Sequence, residues 1–449
     1  MGETLFTAPR VRFLESVACS RYYAHHDPSR LDSGGSVPEL LCKIDAVQTE
    51  VASVMGWQLF FDSIPAILLP IPYGYLADTR GRKWILIMGL TGYTLSLASI
   101  LYLIGVLGLP LRFTWFSSLF FLIGGGPTVA TTMLTTMVAD VVPTNLRSTV
   151  FFYRFCSDQL ADLVVPPIAP MLMAKGTMHP LIVAVGLQLL ALALALPLPE
   201  TLSSTDPKTS DGICTASPVP GVPQSSDTCR PRQDLASWLP RIKESFAFVL
   251  RDTTVACLVY TFFISKLGRQ ANGVLFQYAS KRYGWSIAQA GLLVSLRAGV
   301  NIILFTVILP AVTNFLLVSK PATTRDFLVG AGSIFFLTLG YFVLFLSSTA
   351  AVMIIGVAIT TLGAGFAPVM RSLVTSLVES QQDNHASDIG RLYALISVVE
   401  GVGSLVAGPG MSWAFAVGIN LGRAWLGVPF AVACSLFALV SVLVYSLKL

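Results

Sequence analysis

At 449 residues, 54% hydrophobic and 12% charged, with a mean hydropathy of +0.72, the chain has too little polar surface to cover a water-soluble globule of its size; soluble domains carry roughly 25% charged residues. Lipid must therefore be the solvent for most of its surface. The net charge of +5 sits in short tracts between apolar runs and forms no basic stripe with interleaved aromatics, which excludes a nucleic-acid partner, and the seven cysteines and four histidines show no metal-ligand spacing, so no cofactor is expected.

In chain order, residues 1–56 are polar and mixed, have no apolar core of signal-peptide length, and are expected to stand outside the membrane bundle. About 20 mostly apolar residues cross roughly 30 Å of hydrocarbon. Runs of that kind occur at 57–77, 84–107, 114–139, 149–174, 179–198, 253–278, 287–310, 326–348, 351–377, 389–416 and 424–447. Pro and Gly interrupt several of them, as in Gly124-Gly125-Gly126-Pro127, Pro166-Pro167 and Gly408-Pro409-Gly410. Neighbouring helices or cavity water take up the backbone groups such breaks free. The glycine triplet has no strand or Lys beside it, so it reads as close helix packing and not as a phosphate cradle.

Residues 200–246, rich in Ser, Thr, Pro and Asp, read as a linker. The chain is thus an all-α integral membrane protein in two bundles, 57–199 with five spans and 247–449 with six, joined by a cytoplasmic 200–246. With the 78–83 turn in the cytoplasm, alternation puts about fourteen Lys and Arg inside and about five outside, as the positive-inside rule requires. The outer ones are Arg112, Lys175, Lys281, Arg282 and Arg423.

Ionisable groups within a span cost several kcal/mol unless paired or wetted, which makes each a functional candidate. The spans hold Asp62, Arg154, Asp158, Asp162, Lys266, Arg269, Arg297, Arg371 and Glu400. Arg154, Asp158 and Asp162 share one helix face, and Arg154 and Asp158 are spaced to pair. Lys266, Arg269, Gly273 and Gln277 form a stripe that must face the bundle interior. The first half is mainly acidic here and the second mainly basic, which suggests a central cavity whose basic wall takes an acidic or hydrogen-bonding organic substrate. A carboxylate such as Asp62, Asp158 or Glu400 would exchange a coupling proton. The structural alternative, weighed equally, is that these charges pair as latches within or between the halves, and Arg371 fits that alternative better.

Between the first two runs stands Gly74-Tyr75-Leu76-Ala77-Asp78-Thr79-Arg80-Gly81-Arg82-Lys83. By itself this is a tight turn with basic headgroup anchors. It resembles the signature loop of the major facilitator superfamily, with Thr79 where the family has a basic residue. Trp57…Phe61-Asp62…Pro65, Asp140-Val-Val-Pro with Arg147, Pro199-Glu200-Thr201, Gln277 to Trp285 and Gly427-Val-Pro-Phe430 look like a fungal branch of efflux transporters associated with secondary-metabolite pathways. The resemblance implies a conformational latch of Gly74, Asp78, Gly81, Arg82 and Lys83, with Asp78 facing the start of the 389–416 helix.

It also implies twelve spans, the first lying before Arg12-Phe13-Leu14-Glu15…Cys19. The chain starts almost at that segment, so the first span is expected to be absent and residues 1–56 to lie on the outer face. Cys19 and Cys42 would then share an oxidising compartment, either as a disulfide or as two free thiols; Cys214 and Cys229, in the linker, would be reduced.

The function these readings support is a secondary active transporter, exporting a metabolite or drug-like molecule by alternating access with protons as coupling ion. The alternatives are proton-coupled uptake of an organic anion and a degenerate, non-transporting membrane protein. The expected partners are a small-molecule substrate, protons and the lipid bilayer, with the chain a monomer in the plasma membrane or in a vacuolar or other internal membrane. His25, His26, His179 and His385 lie in loops or tails with no nucleophile beside them, so an enzyme is not expected.

Overall fold

A computed structural model describes residues 1–32, 34–35, 37–143, 146–201, 253–313, 321–381 and 385–446. In hydrocarbon every backbone N–H and C=O must be satisfied within the protein, which leaves helices or a closed barrel. The regular structure of the described residues is helical throughout.

The first side contains α1 Gly2–His26, α2 Asp45–Leu68 carried on by α3 Pro70–Arg80, and α4 Arg82–Ile100 with a terminal π segment Leu101–Val106. A 3-10 stretch Leu111–Leu122 continued by α5 Gly126–Val141, then α6 Arg147–Met173 and α7 His179–Ala195, complete it. The second side contains α8 Thr253–Arg269, a 3-10 segment Gln270–Val274 and α9 Leu275–Tyr283, then α10 Ile287–Ile303 and α11 Ala322–Leu346. It ends with α12 Ala350–Leu362, α13 Phe366–Gln381, α14 His385–Leu421 and α15 Val428–Ser446. With continued helices joined, each side has six rods. Among the described residues, eight helices are long and apolar enough to cross a membrane.

The N-terminus corrects the expectation that residues 1–56 stand outside a five-span bundle. Helix α1 packs against α2, α6 and α7 and reaches α10 of the second side. Val11, Phe13, Leu14 and Ala18 are buried in it, and so are Arg12 and Glu15. A hydropathy window averages around a helix, so it detects a rod that faces lipid. The polar groups of α1 point instead into protein and cavity, so it needs no apolar run. Helix α2 likewise starts at Asp45, not at 57. Cys19 and Cys42 form a disulfide that ties the end of α1 to the start of α2. Of the expected linker 200–246 only Glu200 and Thr201 are described; Cys214 and Cys229 lie outside the described residues.

The glycine triplet is where the fourth rod breaks. Gly124, Gly125 and Gly126 all take positive φ, 76°, 78° and 64°, which a side chain would resist. The freed groups go to one hydroxyl: Tyr73 Oη donates to Leu122 O at 2.6 Å and accepts from Gly124 N at 2.9 Å. Gly124 also lies directly on Gly89 of α4, where a Cβ would come within 2.2 Å of the Gly89 nitrogen. The triplet therefore serves both a backbone break and close packing.

The two sides meet along α2 with α14 and along α6 with α10. At the first seam a Cβ on Gly56 would fall 2.6 Å from Gly408 O and 2.2 Å from Ser412 Oγ. Gly56→Ala should therefore cost about 1–3 kcal/mol and lower the melting temperature of the purified protein. Gly186→Ala should leave it unchanged, because nothing lies within 4 Å of that Cβ. Equal melting of the two variants would count against a tight α2–α14 seam.

Candidate functional site: a cavity between the two bundles

Between the bundles lies a cavity of about 680 Å³. The first side lines it with Arg10 of α1, Gln58, Asp62 and Ser63 of α2, and Thr128 and Thr132 of α5; the second side contributes Lys266, Gln270 and Glu400. Along α2 the lining runs from Gln58 toward the 78–83 turn. Above it, Gly56 and the residues before it are closed against α14 and α9.

Asp62 is the best-defined group in this cavity. Gln58, four residues earlier, shares its helix face, and Gln58 Nε2 donates to Asp62 Oδ1 at 2.9 Å. Ser118 Oγ donates to the same oxygen at 2.5 Å, and Gln58 Nε2 also reaches Ser117 Oγ at 3.1 Å. Amide and hydroxyls thus fix the carboxylate in place. Gln58 is 4% exposed, and its Oε1 is buried with no partner among the described residues.

Glu400 pairs with Arg371 at 2.6 Å, and the Arg371 guanidinium lies 5.9 Å from the Phe262 ring centre. Among the described residues, Arg10 and Lys266, one from each side, line the cavity without an ion pair, and Arg10 Nε is buried with no hydrogen-bond partner.

The other candidates are not gathered here. Arg154, Asp158 and Asp162 share a face of α6 and line a second cavity of about 420 Å³ that meets the first at Glu3 and Thr7. Arg154 donates to Thr135 Oγ1 rather than pairing with Asp158, and Asp162 accepts from Thr4 Oγ1 at 2.7 Å. The stripe from Lys266 to Gln277 is split, because its helix changes to 3-10 geometry between Gln270 and Val274 and loses phase. Lys266 stays on the cavity. Arg269 bends back to Ser265 Oγ at 3.1 Å, and Arg297 lies on α10. Gln277 lies at the far end of the rod, donating across the seam to Gln48 O at 3.4 Å.

The 78–83 turn is a cluster of its own. Gly81 has φ 107°, and a Cβ there would come within 2.4 Å of Glu200 Oε2. Glu200 accepts from the backbone of Arg82 at 2.9 Å and of Lys83 at 3.1 Å, satisfying free N–H groups at the start of α4. Arg82 pairs with Asp78 at 3.6 Å and with Asp140 at the end of α5. The Asp78 side chain is 65% exposed, and this pairing lies within its own half. Gly74 has nothing within 4 Å of a Cβ, so no close approach requires it.

Sequence reasoning missed Arg10, because it set residues 1–56 aside, and missed Ser117 and Ser118, which carry no periodic signal. Gln58 was within reach of it through the four-residue spacing to Asp62. The bond of Glu200 to the turn joins residues 118 apart, a contact no local pattern encodes.

The sequence profile of the Major Facilitator Superfamily matches residues 46–408. The chain is 36% identical over 455 residues to the MFS efflux pump atnC of Emericella nidulans, covering all of this chain and 85% of that protein. It is 30% identical over 456 residues to the MFS-type transporter aprT of Aspergillus flavus, covering all of this chain and 86% of that protein. Among solved structures, a D-xylose–proton symporter superposes over 99% of this chain and 97% of its own with a TM-score of 0.59 at 14% identity. The nucleoside transporter NupG superposes over 99% of this chain and 100% of its own with a TM-score of 0.58 at 13% identity. At these identities the solved structures speak for the fold, and the fold and the sequence matches agree: the chain is a multi-pass membrane protein that belongs to the Major Facilitator Superfamily of secondary transporters.

Proposed function

We propose that the chain exports a small organic molecule in exchange for protons, with Asp62 as the carboxylate that takes and releases the coupling proton. The observation that carries this reading is the position of Asp62. It lies in the cavity between the two bundles, where each arrangement of the halves would offer it to one aqueous phase, and Gln58 and Ser118 hold its Oδ1 in place. Export is favoured by the efflux-pump relative at 36% identity. The positive-inside count puts the 78–83 turn in the cytoplasm, and the plasma membrane is the site that export requires.

Arg10 and Lys266 suit an acidic or hydrogen-bonding group on the substrate. They also favour a second reading, proton-coupled uptake of an organic anion. Arg371 supplies Glu400 with a partner, so Glu400 fits a structural pair better than a proton site.

Direction and coupling are tested in sealed vesicles with an imposed proton gradient, using the compound that cells lacking the protein retain. Asp62→Asn should reduce gradient-driven accumulation at least tenfold at unchanged expression and melting temperature. Full gradient-driven transport by that variant would remove Asp62 from the mechanism, and accumulation with the opposite sign of gradient would select uptake.

The exposed Asp78, paired with Arg82 inside its own half, is read as the group of a latch that engages the other half when the cavity opens to the other side. Asp78→Asn should insert normally and transport far more slowly. Normal transport at normal expression would leave the turn with a structural role only.

A further inference from the structure

At the end of the molecule opposite the 78–83 turn, the two bundles are joined by a buried ionic cluster that the transport reading does not use. On the first side Glu15, 1% exposed, accepts from Arg12 at 3.0 Å, from Lys43 at 2.7 Å and from Gln48 at 2.6 Å. Glu39 pairs with Arg12 at 3.3 Å and with Lys43 at 3.0 Å. Two cations thus face two carboxylates, and every charge in the group has partners from its own side.

Four contacts then cross to the second side. Glu39 Oε1 accepts from Ile287 N at 2.7 Å, an N–H at the first turn of α10 that the Ser286–Gln289 capping box leaves over. A carboxylate there is also favoured by the helix dipole. Lys281 of α9 donates to Lys43 O at 2.8 Å and pairs with Asp45 at 2.5 Å. Gln277 donates to Gln48 O at 3.4 Å.

The Cys19–Cys42 disulfide places these groups. Cys42 adjoins Lys43, and its carbonyl accepts from Gln48 Nε2 at 3.1 Å. Both cysteines are 0% exposed, so the bond is shielded from soluble thiols and is a brace, not a redox switch.

We propose that segment 37–45, braced by Cys19–Cys42, is the clamp that shuts the far end of the cavity, with Glu39 capping α10 and Lys281 gripping Lys43 and Asp45 across the seam. The cluster suits repeated opening. When the sides part, Glu39 keeps Arg12 and Lys43, and Asp45, 72% exposed on its side chain, is already wetted. Opening therefore breaks the crossing bonds without stranding a buried carboxylate, while the first-side cluster stays whole as a rigid tooth. Glu39 and Lys281 set how much of the population is closed at this end.

The test replaces Thr132, an exposed cavity-lining residue, by cysteine in the full chain, with the five cysteines other than Cys19 and Cys42 changed to serine. A membrane-impermeant maleimide is added to the far face of sealed vesicles. Glu39→Gln and Lys281→Ala should each raise the labelling rate at Thr132→Cys several-fold, and Cys19→Ser with Cys42→Ser should do the same. Arg30→Ala, at the same end but paired with Asp27 outside the cluster, should not. The swap Lys281→Asp with Asp45→Lys should return labelling toward the parent rate, a rescue that general destabilisation would not give. Unchanged labelling in Glu39→Gln and Lys281→Ala at parental melting temperature, or no rescue by the swap, would overturn the clamp. The readout needs neither substrate nor proton gradient, so its failure leaves the role of Asp62 standing, and failure of Asp62 leaves the clamp standing.

Discussion

A charged side chain in a helix surrounded by hydrocarbon must find a partner or water. That constraint organises this protein more than any apolar contact does. Glu15, Arg12 and Lys43 solve it by forming a closed ionic cluster, Glu400 by taking Arg371, and Asp62 by accepting from Gln58 and Ser118. Arg10 and Lys266, which have no ion pair among the described residues, line the cavity, where water or a substrate takes the place of a side chain. The two-bundle arrangement follows. Lipid accepts only the apolar outside of each bundle, so the polar faces must meet, and the cavity is the part of their meeting surface that side chains do not fill.

The closure of that surface is uneven along its length. Toward the far end it is drawn together by backbone contact at Gly56 and Gly408 and by polar bonds from Glu39, Lys281 and Gln277. From Gln58 toward the 78–83 turn it opens into the cavity. Polar bonds suit the closed end because they can be exchanged for water when the halves part, whereas an apolar seal would gain strength from staying shut.

Most of the rods were legible in the sequence, because a lipid-facing helix must be apolar over a fixed length. Helix α1 was not, because its burial in protein releases it from that requirement, and the error carried further: the first bundle was read one rod short, and Arg10 was never weighed. Asp62 was legible as a charge out of place. Its setting was only half so, since the four-residue spacing to Gln58 is local while Ser118 arrives from a rod 56 residues away. The stripe from Lys266 to Gln277 shows the opposite failure. The periodicity was real, but nothing in the residues announced the 3-10 segment that sends its two ends to different places. The pairing of Cys19 with Cys42 could be left open from sequence because it rested on compartment alone, whereas their positions at the end of α1 and the start of α2 bring them together.

The turn at 78–83 and the cavity are physically continuous, which bears on how an event at one reaches the other. Helix α3 begins at Pro70 on the cavity and ends at Arg80 beside the turn; α5 begins at Gly126, next to the cavity-lining Gly125 and Pro127, and ends at Val141 beside Asp140, the partner of Arg82. Tyr73 of α3 bonds to Leu122 O and Gly124 N, just ahead of α5, and Arg82 ties α5 to the turn at the other end. Helices α3 and α5 pack against each other, and the positive-φ glycines ahead of α5 set it off from the 3-10 stretch preceding it. A ligand that displaces Pro127, on α5 itself, would therefore shift Asp140 and the Arg82 that pairs with it. No chain of small side-chain adjustments is needed: the link is the stiffness of α5 itself, roughly 24 Å long at 1.5 Å per residue.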